Sequence, residues 1–218
     1  MKAYISKMDA RELFRQLVYL YINARKPIYY HPCIRRGKSH SIASQVEDLF
    51  TFFLSLNLTE DCSFLVHQPL NYRKKRLYPD ISVVKNGVIT HVFDIKTDLG
   101  WNRDGFTKFC HEKQKIIEQF RSVTFSATDG ITKQKFQVKA DGVLHYHIII
   151  LSGCNIASSK LEKHLKDTER LKNVHVYVLF PDDHPNYYGS SVEDFINSAK
   201  INEKDFNRIK TALTKAST

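Results

Sequence analysis

Apolar residues recur at helical spacing over 9–25, where Leu13, Leu17, Leu20 and Tyr21 share a face, and over 41–56 through Ile42, Val46, Leu49, Phe50, Phe53 and Leu54. Two amphipathic helices are expected to lead the chain, with Ser39 or Ser41 available as the cap of the second. The segment 26–38 between them mixes proline, glycine, aromatic and basic residues and reads as a loop. Strand signals begin at Ser63. Helical spacing returns over 106–121 through Phe106, Phe109, Cys110, Ile116, Ile117 and Phe120. The β-branched runs 143–151 and 174–180 bracket a helix-like 160–171, the pattern of a strand, crossover helix and parallel strand. Helical patterns over 192–200 and 203–213 close the chain. No internal repeat or low-complexity linker interrupts it.

These elements predict one α/β domain over 1–218, a central mixed β-sheet flanked by α-helices. A helical N-terminal part, 1–57, precedes a hairpin and core, 63–181, and C-terminal helices, 191–214. A length of 218 residues suits such a unit, and 42% hydrophobic with 26% charged residues is an ordinary globular balance, with disorder expected only at the tail 215–218. The first six residues lack the apolar core of a signal peptide, and no stretch is long and apolar enough to span a bilayer. Cys33, Cys62, Cys110 and Cys154 are scattered without a C-x-x-C pair, which speaks against structural zinc and a disulfide scaffold and for a reducing, cytoplasmic setting.

Three charged residues stand where strands favour apolar ones. Asp80, Asp94 and Lys96 bracket a hairpin running from Tyr78 to Lys96, and charges in such a context need a partner. Alternation places Asp94 and Lys96 on one face of their strand. Whether Asp80 joins them depends on the turn. A two-residue Asn86-Gly87 loop pairs Lys85 with Val88 and turns Asp80 toward Phe93, on the wrong face. A three-residue Lys85-Asn86-Gly87 loop pairs Val84 with Val88, sets Asp80 opposite Val92 and makes Asp94 its diagonal neighbour; this loop is the expectation. Two carboxylates on one face suit Mg²⁺, with Lys96 beside the metal-bound water. The alternative is a surface hairpin with an ordinary ion pair.

Pro79-Asp80, thirteen intervening residues and Asp94-Ile95-Lys96 resemble the PD-(D/E)xK nuclease superfamily, whose core is restriction-endonuclease-like. The motif covers under a tenth of the chain, although the helix before it and the αβ order after it also look like the family core. The resemblance implies that Asp80 and Asp94 ligate Mg²⁺, with Mn²⁺ able to substitute, and that Lys96 assists the attacking water. Many members add an acidic residue from an earlier helix. Glu47 matches, since Ala43, Phe50 and Leu54 place it on the inward shoulder; a Ser44-to-Glu47 capping box is the competing reading, and Asp48 the fallback. The function so implied is a DNA-cleaving enzyme of restriction or defence type, probing duplex DNA as a homodimer. The rivals are a repair or recombination nuclease, a noncatalytic nucleic-acid-binding module on the same fold, and a protein-interaction subunit of a larger complex.

A formal net charge of +10 favours a polyanionic partner. Tyr72, Arg73, Lys74, Lys75 and Arg76, just before the motif, and Arg35, Arg36 and Lys38 in the first loop are the candidates for phosphate contact. Other features carry less. Lys113 and Gln114 approach the apolar stripe of the 106–121 helix, where a snorkelling lysine is the commoner explanation. His145 and His147 share a strand face without an apparent third metal ligand, which favours structural roles. Asp98 and Asp104 flank Trp101, either extending the acidic site or forming a loop over it.

Overall fold

The computed structural model describes residues 7–29, 31–35, 37–58 and 62–214. Arg36, the residues read for a signal peptide and the tail 215–218 lie outside them. Helix α1 (Ala10–Ala24) begins where Asp9 accepts the backbone N–H of Glu12 as a side-chain cap. Helix α2 (Ala43–Asn57) starts after Ile42 with no side-chain cap, so neither Ser39 nor Ser41 serves it, and no Ser44-to-Glu47 box forms. A missing cap costs about 1 kcal/mol. Burying Val46, Phe50, Phe53 and Leu54 contributes roughly 2 kcal/mol each, which is why α2 forms without one.

The strands are β1 (Cys62–Val66), β2 (Leu70–Tyr72), β3 (Lys75–Leu77), β4 (Ile81–Lys85), β5 (Val88–Lys96), β6 (Thr124–Thr128), β7 (Lys135–Ser152) and β8 (Val174–Phe180). They form one mixed sheet in the order β1-β4-β5-β7-β6-β2-β3, with β8 on β7. The long β7 is central. It runs parallel to β5 and β8, and its first residues pair antiparallel with β6. Helix α4 (Ser158–Thr168) makes the expected crossover between β7 and β8.

Helices cover both faces. Phe93, Ile95, Ile149 and Tyr177 join Phe14, Phe50, Phe53 and Phe206, bringing in α1, α2, α5 (Val192–Ser198) and α6 (Glu203–Thr214). Val92, Ile148, Ile150 and Val176 join Phe106, Cys110, Ile117 and Leu161, bringing in α3 (Phe106–Glu118) and α4. The architecture is thus α/β with a mixed sheet flanked by helices. No helix among the described residues is long and apolar enough to cross a membrane, and all four cysteines are free thiols.

The hairpin departs from expectation. Lys85 pairs with Val88 around a two-residue loop, with Asn86 at φ 50° and Gly87 at φ 76°, both in the left-handed region that a type I′ turn requires. The three-residue loop is therefore wrong. The ladder is also irregular: Val84 faces Ile89, but Val83 faces His91, so Thr90 is an extra residue in β5. Beyond this bulge Ile81 faces Phe93, and the same register continued by one residue sets Asp80 opposite Asp94. The turn that alone would misplace Asp80 is corrected three residues later.

Candidate metal and active site

Six elements meet at the start of β4 and the end of β5. Asp80 precedes β4, with its backbone N–H donating to Phe93 O at 3.0 Å and its Oδ2 accepting the Ile95 N–H at 2.6 Å. Asp94 and Lys96 lie on one face of β5, as alternation requires, and the Lys96 ammonium pairs with Asp94 Oδ1. Lys113 from α3 reaches Asp94 Oδ2 at 3.2 Å, and the Tyr146 hydroxyl from β7 donates to that same oxygen at 3.1 Å. Glu47, buried on α2, faces His67, whose backbone N–H ties the end of β1 to Asp80 O at 2.8 Å. One ligand atom from each of Glu47, His67 and Asp80 lies within 4.8 Å of the other two. Among the described residues, this is the one group of three side chains with that convergence.

The carboxyls divide electrostatically into two kinds. Burial and the neighbouring Asp80 charge push Glu47 up to about 7, with His67 and Lys96 opposing. Burial and the Asp94 charge push Asp80 up to about 6, against the Ile95 N–H and Lys96. Burial also acts on Asp94, but the ammonium groups of Lys96 and Lys113 outweigh it and hold Asp94 below its ordinary value. Asp94 is thus an ionised carboxylate already matched by cations. Glu47 and Asp80 are crowded acids that an added positive charge would relieve. Oε2 of Glu47 and Nε2 of His67 are buried and pair with one another, and neither makes a hydrogen bond to a third group. Hard oxygen donors and an imidazole nitrogen that converge on one point together fit a divalent cation.

The sequence-predicted catalytic residues Glu47, Asp80, Asp94 and Lys96 therefore come together. Asp48, the fallback for Glu47, is exposed. Lys113 joins the site through Asp94, which the snorkelling explanation discounted; its neighbour Gln114 instead accepts the Asn173 N–H at 3.0 Å and stays outside. His67 was missed altogether. Trp101 is 54% exposed and holds its ring 5.7 Å from the Lys96 ammonium, beside the site. Asp98 is engaged by Gly100 N–H and Asn155, and Asp104 by Lys160, so neither extends the acidic group.

The basic candidates are placed differently. Tyr72 and Arg76 lie on the short β2 and β3 strands, with Arg73 and Lys74 at their turn. Arg73 sits over the Tyr72 ring at 5.1 Å, Lys75 donates to Gln119 and Arg76 to Asn71. This is a paired hairpin whose four cations are exposed to solvent. Its base adjoins Asp80 in sequence, whereas its basic tip stands about 10 Å further along the strands. Arg35 and Lys38 are exposed in the loop before α2.

His145 and His147 have the structural surroundings expected of them. Nδ1 of His147 lies 3.1 Å from the Tyr177 hydroxyl and its Nε2 is 2.9 Å from His91, while His145 meets His175 at 3.1 Å. Compared with protein families, characterised proteins and solved structures, the chain finds no match.

Proposed function

We propose that this chain is a metal-dependent endodeoxyribonuclease that hydrolyses DNA phosphodiester bonds, of restriction or defence type. The observation that carries the reading is the meeting of Glu47, Asp80, Asp94 and Lys96 at one end of β4 and β5, from segments up to 49 residues apart in sequence (96 − 47 = 49). A surface ion pair would need none of this convergence.

In this reading Glu47, Asp80 and Asp94 hold the cofactor, Mg²⁺ or Mn²⁺. Bound there, a divalent cation supplies charge neutralisation for a phosphate and a more acidic water. The protein's own groups do the positioning. Asp80 is fixed by the Ile95 N–H, and Asp94 by Lys96, Lys113 and Tyr146, so both carboxylates are oriented before substrate arrives. Lys96, half-buried between Asp94 and Trp101, orients or deprotonates the attacking water. Lys113 places a second ammonium where charge develops on the phosphate. The net charge of +10 draws the duplex in, and two copies together cut both strands.

The test is incubation of purified protein and Asp94→Ala with supercoiled plasmid and linear DNA, with Mg²⁺ or with chelator. Metal-dependent cutting lost in the variant supports the reading. DNA that binds but stays intact under every condition points to the noncatalytic binding module.

A further inference from the structure

We infer that His67 is a direct ligand of the metal, and that its nitrogen makes the site select Mn²⁺ over Mg²⁺. The inference rests on the metal-centred reading above and assigns the site a donor and an ion.

Three observations carry it. His67 Nε2 and Glu47 Oε2 are buried against one another as an ion pair, with no hydrogen bond to any third group. A buried imidazole and carboxylate that converge with no other partner define a point where a cation takes both as ligands in place of their mutual pair. The Asp80 carboxylate closes the third side, within 4.8 Å. His67 also holds φ 51°, in the left-handed region, between β1 and β4. A histidine held there is uncommon, and Asp80 O pins it by accepting its N–H. That backbone turn is what carries the imidazole back toward α2. Asp94, by contrast, has Oδ1 engaged by Lys96 and Oδ2 by Lys113 and Tyr146. Asp94 therefore exchanges a cation contact for the metal, whereas Glu47, His67 and Asp80 already converge on one point, two oxygens and one nitrogen.

That set discriminates among ions. Mg²⁺ binds oxygen at short octahedral distances and keeps most of its waters, so an imidazole adds little to its binding. First-row transition ions accept nitrogen readily, and Mn²⁺ is the one that also favours a carboxylate-rich shell.

The test uses the full chain without DNA, titrated calorimetrically with MnCl₂ and with MgCl₂, and Mn²⁺-loaded protein examined by electron spin echo spectroscopy for hyperfine coupling to an imidazole nitrogen. The variant is His67→Asn, because asparagine tolerates a positive φ and supplies an oxygen in place of nitrogen. His67→Gly, which accepts that backbone without strain, is the second variant should the first unfold. Wild type is expected to bind Mn²⁺ about tenfold or more tightly than Mg²⁺ and to show the nitrogen coupling. Both the coupling and the Mn²⁺ advantage should disappear in the variants while Mg²⁺ binding persists. Mn²⁺ bound without nitrogen coupling, or an advantage that survives in the variants, overturns the assignment of His67 and leaves the carboxylate site standing. Wild type that binds neither ion overturns the metal-centred reading together with it.

Discussion

Lys113 on α3 holds its ammonium 3.2 Å from Oδ2 of Asp94, the oxygen that also receives the Tyr146 hydroxyl. Asp94 is thereby gripped from its own strand, from a helix and from the neighbouring strand. A lysine that merely snorkels would be replaceable by any long apolar side chain. Lys113→Met keeps the stem and removes the charge, and is expected to lower cleavage about a hundredfold with the fold retained. Gln114→Ala, one residue on, should leave the rate unchanged and cost about 1 kcal/mol of stability through Asn173. Unaltered plasmid cleavage in Lys113→Met would return that residue to a packing role.

Asp80 gives a stability prediction with a definite sign. Burial and Asp94 hold its folded pKa at about 6, above its ordinary carboxylate value. The folded state keeps a proton that the unfolded chain releases first, so stability without metal falls as pH rises through that window and stays lower above it. Asp80→Asn removes the penalty, and its amide oxygen can still accept the Ile95 N–H. In chelator the variant should melt higher than wild type at pH 8, with the gain shrinking as pH falls toward the ordinary carboxylate value. Equal gains at both ends of the pH range in calorimetry would refute this account.

The histidine cluster acts in the opposite direction. Burial holds His91 at about 3 and His175 at about 4, and depresses His145 and His147 as well. The unfolded chain takes up these protons first, so the stability is complete above about pH 6.5 and is lost as pH falls toward the folded values. Urea unfolding of Glu47→Gln/Asp80→Asn, in which both raised carboxyls are absent, should therefore show a midpoint dropping steadily from pH 7 to pH 4.5. Adding His175→Gln, which keeps a neutral amide on β8, should flatten that slope. A slope that does not change would mean the histidines are not its source.

Local signals were legible and long-range ones were not. The bounds of β8 and the inward shoulder of Glu47 follow from periodicity within a few residues. The spacing of Asp80, Asp94 and Lys96 was likewise visible because one hairpin contains it. His67 carries no such mark: it is a lone histidine after an apolar strand, and only the left-handed backbone at that position turns it toward α2. The contacts among His91, His147 and His175 join three strands, so no short window contains them. The first half of β7 extends the predicted 143–151 strand backward, where Lys135, Gln137 and Lys139 alternate with Phe136, Val138 and Ala140, and the intervening Asp141-Gly142 pair reads as a turn between the two runs.

Thr90 is where turn chemistry and site geometry are reconciled. Asn86-Gly87 favours the two-residue loop so strongly that, with a regular ladder, Asp80 would face Phe93 and turn away from Asp94. The extra residue at Thr90 restores the face. It is held at a cost, since its Oγ1 is buried with no hydrogen-bond partner. Thr90→Val replaces that hydroxyl by a methyl of similar size and should stabilise the protein by about 1 kcal/mol, with metal binding and cleavage unchanged. Deleting Thr90 should have the contrary effect: the ladder becomes regular, Asp80 leaves the face of Asp94, and calorimetric binding of Mn²⁺ and Mg²⁺ is lost. Circular dichroism separates this from unfolding. A folded deletion variant that still binds metal would show that the bulge does not set the position of Asp80, and a lower melting temperature for Thr90→Val would show that the hydroxyl has a partner the valine lacks.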